Sequence, residues 1–244
     1  MAHSDWIEAN GVSLHYALGG QGETTVVLVP EMGGGVVGWE DVAQDLQADW
    51  RVLRYDPRGF GLSEKNHEIT LATAVDDLSA LLDALAITGP VCLAGAALGA
   101  TVCLAFALRH PQRVQCLVLS SPATGGLTPV ALQAMETRLA LVAQGGLRAV
   151  TDAMLAVTYP AALRTDLQRF ERQRLRWLTM PAGAFIALNR MLTDIDLLPQ
   201  LPTVAPPALV IGCSLDSVRP AARSAELAAL LPNARFVEAQ SGHF

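Results

Sequence analysis

With 244 residues, 51% of them hydrophobic and only 5% aromatic, the chain is long enough for one α/β domain with an insertion, its buried sheet covered by Ala/Leu-rich helices. A net charge of −6, spread along the chain, excludes nucleic acid as a partner, because phosphate binding needs a concentrated basic surface. The N-terminus carries Asp5 and Glu8 and no apolar run, so no secretory leader is read and the expected compartment is cytoplasmic. Cys92, Cys103, Cys116 and Cys213 lie in apolar stretches without paired metal spacing. They read as small buried hydrophobes, with no disulfide, metal or cofactor expected.

In chain order, residues 6–16 alternate and turn at Asn10-Gly11, which predicts a hairpin. A β-branched strand over 25–29 runs into the glycine-rich turn Pro30-Glu31-Met32-Gly33-Gly34-Gly35, where backbone amides can approach a ligand. A helix over 39–46 and a strand over 51–55 follow, then the tight turn Asp56-Pro57-Arg58-Gly59-Phe60-Gly61-Leu62-Ser63. Val75, Leu78, Leu82 and Leu85 share one face of a helix over 70–86.

Residues 91–110 are read as a strand, the corner Gly95-Ala96-Ala97-Leu98-Gly99 and a helix that Pro111 stops. The two glycines interrupt the apolar run, which argues against a membrane span. A sharp strand-to-helix corner holds one side chain in a strained conformation at the top of a sheet, and here that side chain is Ala97. A strand over 114–120 comes next. Alternating strand and helix implies a parallel sheet with right-handed crossovers.

The alternation stops over 122–204, where helices are predicted at 129–145, 147–157, 166–178 and 181–194, a lid-like block over the carboxyl ends of the strands. Strands over 208–212 and 235–238 flank a helix over 220–231, and the chain ends at Ser241-Gly242-His243-Phe244. The arginines at 164, 169, 172, 174 and 176 are expected to spread around a solvated helix face.

On the glycine turn, the Arg51-Val52-Leu53-Arg54-Tyr55-Asp56-Pro57-Arg58-Gly59 strand and turn, the corner at 95–99 and Gly242-His243, the chain resembles the α/β-hydrolase superfamily. More narrowly it is similar to the lidded branch that includes 3-oxoadipate enol-lactonases and related small-ester and lactone hydrolases. The resemblance implies an α/β-hydrolase fold, mostly parallel, with residues 1–122 and 204–244 as the core and 123–203 as an inserted helical lid. A helix after His243 is part of the implied pattern.

The chemistry it implies is nucleophile, acid and histidine in that chain order. His243 takes the base position and Asp216 the acid position, one residue later than the three-after-glycine spacing of relatives, counted from Gly212. His3, His15, His67 and His110 are left as structural. The oxyanion hole would use the amides of Leu98 and Met32. Glu31 departs from the usual His-Gly pair and brings a carboxylate beside the place where negative charge would develop; it is also a candidate for contact with a substrate hydroxyl or amine. Arg138 and Trp177 are candidate substrate-binding residues on the lid, and the expected partner is a small molecule, with no membrane.

Position 97 would carry the nucleophile, serine being the residue expected there, and alanine has no atom to attack a carbonyl. Two readings follow. In one, Ala97 is an engineered replacement in an otherwise competent ester, lactone or amide hydrolase, which is then inert. In the other, a natural chain has left hydrolysis for binding, or for lyase-type chemistry with His243 as base.

Overall fold

Asn10 and Gly11 take positive φ values of 50° and 70°, as a two-residue type I′ turn requires, and close a hairpin between β1 (His3–Ala9) and β2 (Val12–Gly19). This hairpin edges an eight-stranded sheet in a computed structural model that describes residues 3–243; Met1, Ala2 and Phe244 lie outside it. The remaining strands are β3 (Thr25–Val29), β4 (Arg51–Tyr55), β5 (Val91–Ala96), β6 (Val114–Ser120), β7 (Ala208–Cys213) and β8 (Ala234–Ala239). Their order across the sheet is β1-β2-β4-β3-β5-β6-β7-β8. Only the β1/β2 and β2/β4 pairs are antiparallel.

Among the helices, α1 (Glu40–Leu46) follows a 3₁₀ turn at Val36–Trp39, and α2 (Leu71–Ala84) starts at a capping box in which Thr70 accepts from the Thr73 amide. Helix α3 (Leu98–Arg109) follows β5 directly, and α8 (Ala221–Leu230) links β7 to β8. Residues 91–108 are therefore split between a strand and a helix. No helix among the described residues is long and apolar enough to cross a membrane. Strands β3 and β5 sit at the centre of the sheet and bury Val27, Leu28 and Leu93 completely, which is why their sequences are apolar runs.

Between β6 and β7 stands a block of four helices, α4 (Pro129–Gly145), α5 (Thr151–Thr158), α6 (Leu167–Leu178) and α7 (Ala182–Met191). Thr128 caps α4 by accepting from the Ala131 amide, and Asp166 caps α6 by accepting from the Arg169 amide. The second predicted helix starts late: residues 147–149 form a 3₁₀ turn before α5.

The cysteines correct one expectation. Cys103 and Cys213 are buried, whereas Cys92 and Cys116 are half-buried and face each other across β5 and β6 with sulfurs 2.8 Å apart.

The turn after β4 is held by charge. Arg58 meets Asp77 of α2 through two bonds, Nε to Oδ2 at 2.6 Å and Nη2 to Oδ1 at 2.5 Å, with side chains 7% and 3% exposed. Asp77→Ala would leave that guanidinium buried and unpaired. The expected loss is about 3–5 kcal/mol, read as a lower urea midpoint at unchanged slope.

Candidate active site

Parallel strands carry their loops to one edge, so the segments after β3, β5, β6, β7 and β8 gather at the carboxyl end of the sheet. Residue 97 sits at this edge, at the corner between β5 and α3, with φ 48° and ψ −111°. That is a strained conformation for an alanine, costing of order 1–3 kcal/mol. The surrounding backbone enforces it. The Ala97 amide donates to Ser120 O at 2.8 Å, and a Cβ on Gly95 would lie 2.5 Å from the Gly99 carbonyl carbon. A Cβ on Gly99 would strike Val29 O, so both glycines are required by backbone approaching backbone. Thr101 fixes the start of α3 by donating to Ala123 O at 2.6 Å. Ala97 is only 4% exposed, yet it belongs to neither apolar core cluster.

Asp216 and His243 are brought together from loops 27 residues apart. His243 Nδ1 lies 2.7 Å from Asp216 Oδ2, and both side chains are buried. The other carboxylate oxygen accepts from the amides of Val218 and Arg219 at 2.9 and 2.8 Å. Burial pushes the Asp216 carboxyl up, but the bonds from His243 and the Arg219 amide outweigh it and hold the group below its ordinary range. The Ser121 hydroxyl is buried beside the same carboxylate without forming a hydrogen bond of ordinary geometry. An ionised Asp216 that accepts from Nδ1 leaves Nε2 as the basic nitrogen of a neutral His243 ring. Strand β7 continues one residue beyond Gly212, to Cys213, before the chain turns at Asp216.

A second serine, histidine and aspartate also align. Ser4 Oγ is 2.8 Å from His15 Nε2, and His15 Nδ1 is 2.7 Å from Asp56 Oδ2. Asp56 also accepts from the Val36 and Leu62 amides, so it braces two loops. Ser4 lies on the exposed edge strand, at ordinary backbone angles, with no strained corner to present it. His15 is thus a structural histidine.

Leu98 is the first residue of α3, where amides lack intrahelical carbonyl partners, and Met32 lies in the turn after β3. These are the two amides expected to serve an oxyanion. The inserted helices press on this turn at three places. Met180, just past α6, occupies the space a Cβ on Gly33 would need; Asn189 of α7 donates from Nδ2 toward Met32 Sδ at 3.5 Å; and Arg176 of α6 meets Glu31 at 3.3 Å. Glu31 is therefore ion-paired rather than bare, and Gly34 and Gly38 leave room for its carboxylate and the Arg176 guanidinium. This pair, 145 residues apart in sequence, was invisible to spacing arguments.

Of the arginines expected on a solvated face, Arg169 and Arg172 are exposed and Arg176 alone turns inward, to Glu31. Arg174 pairs with Asp152 and Glu171, Arg169 with Asp41, and Arg164 covers the Phe170 ring at 4.4 Å. The pairs of Arg169 and Arg174 lie at the surface, where such contacts contribute little. Trp177 is 2% exposed and belongs to the main core cluster. Arg138, on α4, donates to Asn189 Oδ1 at 3.1 Å.

A small, mainly apolar cavity adjoins the site, lined among others by Glu31, Gly33, Tyr55, Phe60, Leu98 and Met191. The described residues hold no cluster of three or more His, Cys, Asp or Glu side chains fit for a metal ion.

The chain is similar in sequence and in overall fold to known proteins. A protein of Caulobacter sp. (strain K31) that carries the name carbamate hydrolase RutD is 32% identical over 219 residues, covering 86% of this chain and 80% of that one. The crystal structure of the enol-lactonase from Burkholderia xenovorans LB400 superposes with a TM-score of 0.92 at 27% identity, covering 98% of this chain and 92% of that one. A malate-bound thermophilic esterase from Thermogutta terrifontis gives 0.90 at 25% identity, covering 99% and 92%. The family model described as the alpha/beta hydrolase fold matches residues 24–244. A strained corner between β5 and α3, an aspartate after β7 and a histidine after β8 thus stand in a chain that belongs to the α/β-hydrolase fold family.

Proposed function

We propose that this site is built for hydrolysis of a small ester, lactone or carbamate through an acyl-enzyme, and that Ala97 suspends the chemistry while leaving substrate binding in place. The observation that carries the reading is the Asp216–His243 pair at 2.7 Å with its carboxylate ionised, because a protein that only binds needs no oriented base. The names of the relatives, a carbamate hydrolase, an enol-lactonase and an esterase, point to the same reaction class.

With a serine at 97, His243 Nε2 would take the hydroxyl proton as Oγ attacks the carbonyl carbon. The amides of Leu98 and Met32 would receive the oxyanion, and the imidazolium would return its proton to the leaving group. Asp216 would hold the ring by Nδ1 throughout. The cavity beside Leu98 and Gly33 is apolar and small, which suits a short acyl chain. Arg176 neutralises Glu31, so its carboxylate does not oppose the developing charge. In the present chain the sequence stops at binding, since the Ala97 methyl has no lone pair to offer.

A fluorophosphonate probe tests this directly. The Ala97→Ser protein is expected to gain one phosphonyl group at residue 97 by intact mass and peptide mapping, and the parent none. An Ala97→Ser protein that folds and stays unlabelled would remove the reading.

A further inference from the structure

We propose that Cys92 and Cys116 form a reversible oxidation site, at which a low-molecular-weight disulfide of the oxidised-glutathione class joins the two side chains by a disulfide bond. The site lies apart from the corner at residue 97, and the inference does not rest on the hydrolase reading.

An offset in strand register creates the pair. Strands β5 and β6 start with Val91 beside Val114, but the next partners are Cys92 and Cys116, so Gln115 is passed over. A one-residue bulge of this kind re-aims the side chains that follow it. In an unbroken register Cys92 would lie beside Gln115, which is exposed and whose Oε1 is 3.9 Å from Cys92 Sγ. With the offset, the two sulfurs stand 2.8 Å apart. Neighbouring strands are spaced by about 4.8 Å, inside the Cα separation of about 4.4–6.8 Å that a disulfide bridges. Closing the bond therefore asks for a small side-chain movement and no new strand pairing.

Access separates this pair from the other two cysteines. Cys92 and Cys116 are both half-buried, Cys92 at the margin of the small apolar cluster of Val26, Leu28, Ala43 and Val52. Cys103 on α3 and Cys213 at the end of β7 are buried, and burial pushes the Cys103 thiol up, away from the reactive thiolate. When the pair has lost one proton, the thiol left on Cys92 donates to the Cys116 sulfur. That bond holds the Cys116 thiol below its ordinary value and Cys92 above its own. Cys116 is thus the attacking thiolate and Cys92 the resolving thiol.

Cys116 Sγ attacks one sulfur of oxidised glutathione, whose S–S bond breaks, and one glutathione thiolate leaves. Cys92 then gives up its proton and attacks Cys116 Sγ in the mixed disulfide, expelling the second glutathione. The two cysteines lose two electrons and two protons, and the glutathione disulfide gains them as two thiols. The new bond ties β5 to β6 at the ends of the strands away from residue 97.

The test treats the reduced, unaltered chain with oxidised glutathione in its folded state and counts thiols after an acid quench. Two of the four thiols are expected to disappear. The intact mass should fall by about 2 Da with no glutathione retained, and peptide mapping should link Cys92 to Cys116. Excess dithiothreitol should restore both thiols. Cys92→Ser should instead keep one glutathione, on Cys116, because no thiol is left to resolve the mixed disulfide. Four free thiols after treatment, glutathione retained on the unaltered chain, or a link between any other two cysteines overturns the proposal. The unaltered chain decides this by itself, so the outcome does not depend on how the serine variant folds, and none of these readings involves turnover.

Discussion

Ala97→Ser is expected to raise kcat on 4-nitrophenyl acetate by roughly 10⁶-fold over the parent chain, the factor lost when a nucleophile is removed from a Ser-His-Asp system. On the proposed reading a serine would meet three features of this edge. The corner is already held at φ 48°, Leu98 opens α3 with an unpaired amide, and His243 is oriented by Asp216. Stopped-flow absorbance should show a burst of nitrophenolate of about one equivalent per site, followed by slower turnover. Turnover no higher than in the parent would mean that the strained corner does not face the imidazole.

Asp216→Asn, made in the Ala97→Ser protein, is expected to lower kcat by about 10⁴-fold with little change in KM. Oδ1 of the new amide can still accept from the Val218 and Arg219 amides, so the side chain keeps its orientation. Its NH₂ then points at His243 Nδ1 where a carboxylate oxygen stood, and the ring must place its proton on Nε2. A ring protonated on Nε2 cannot take the serine proton, so the rate falls although the geometry survives.

The same substitution has a pH signature in stability. The folded pKa of Asp216 is depressed, so its contribution is fully present above the unfolded value, about 4, and is lost as pH falls through the lower folded value. Urea midpoints measured with and without the Asp216→Asn substitution should therefore differ near neutral pH and converge in acid.

The sheet was legible because its strands are short, largely apolar runs that end at turn-forming or polar residues, Pro30 after β3, Asp56 after β4 and Ser121 after β6. Residues 25–29, 51–55 and 114–120 match β3, β4 and β6 end to end. The corner at 95–99 was legible for a steric reason, since its two glycines stand where backbone meets backbone. Contacts between distant segments were not. Arg176 with Glu31, Arg138 with Asn189 and Asn189 with Met32 join residues 51 to 157 positions apart, and no periodicity encodes such pairs. Counting from Gly212 did not locate the turn at Asp216, which lies three residues past the end of β7 at Cys213.

The backbone angles at residue 97 carry a consequence of their own. No hydroxyl of residue 97 helps to hold them, since the frame is set by the neighbouring strand, by two glycines and by the first turn of α3. The tension belongs to the scaffold and persists in a chain that has no reactive oxygen. On the proposed reading, a serine form and the present chain would differ by a single heavy atom on an unchanged mould, and passage between them in either direction would require no refolding.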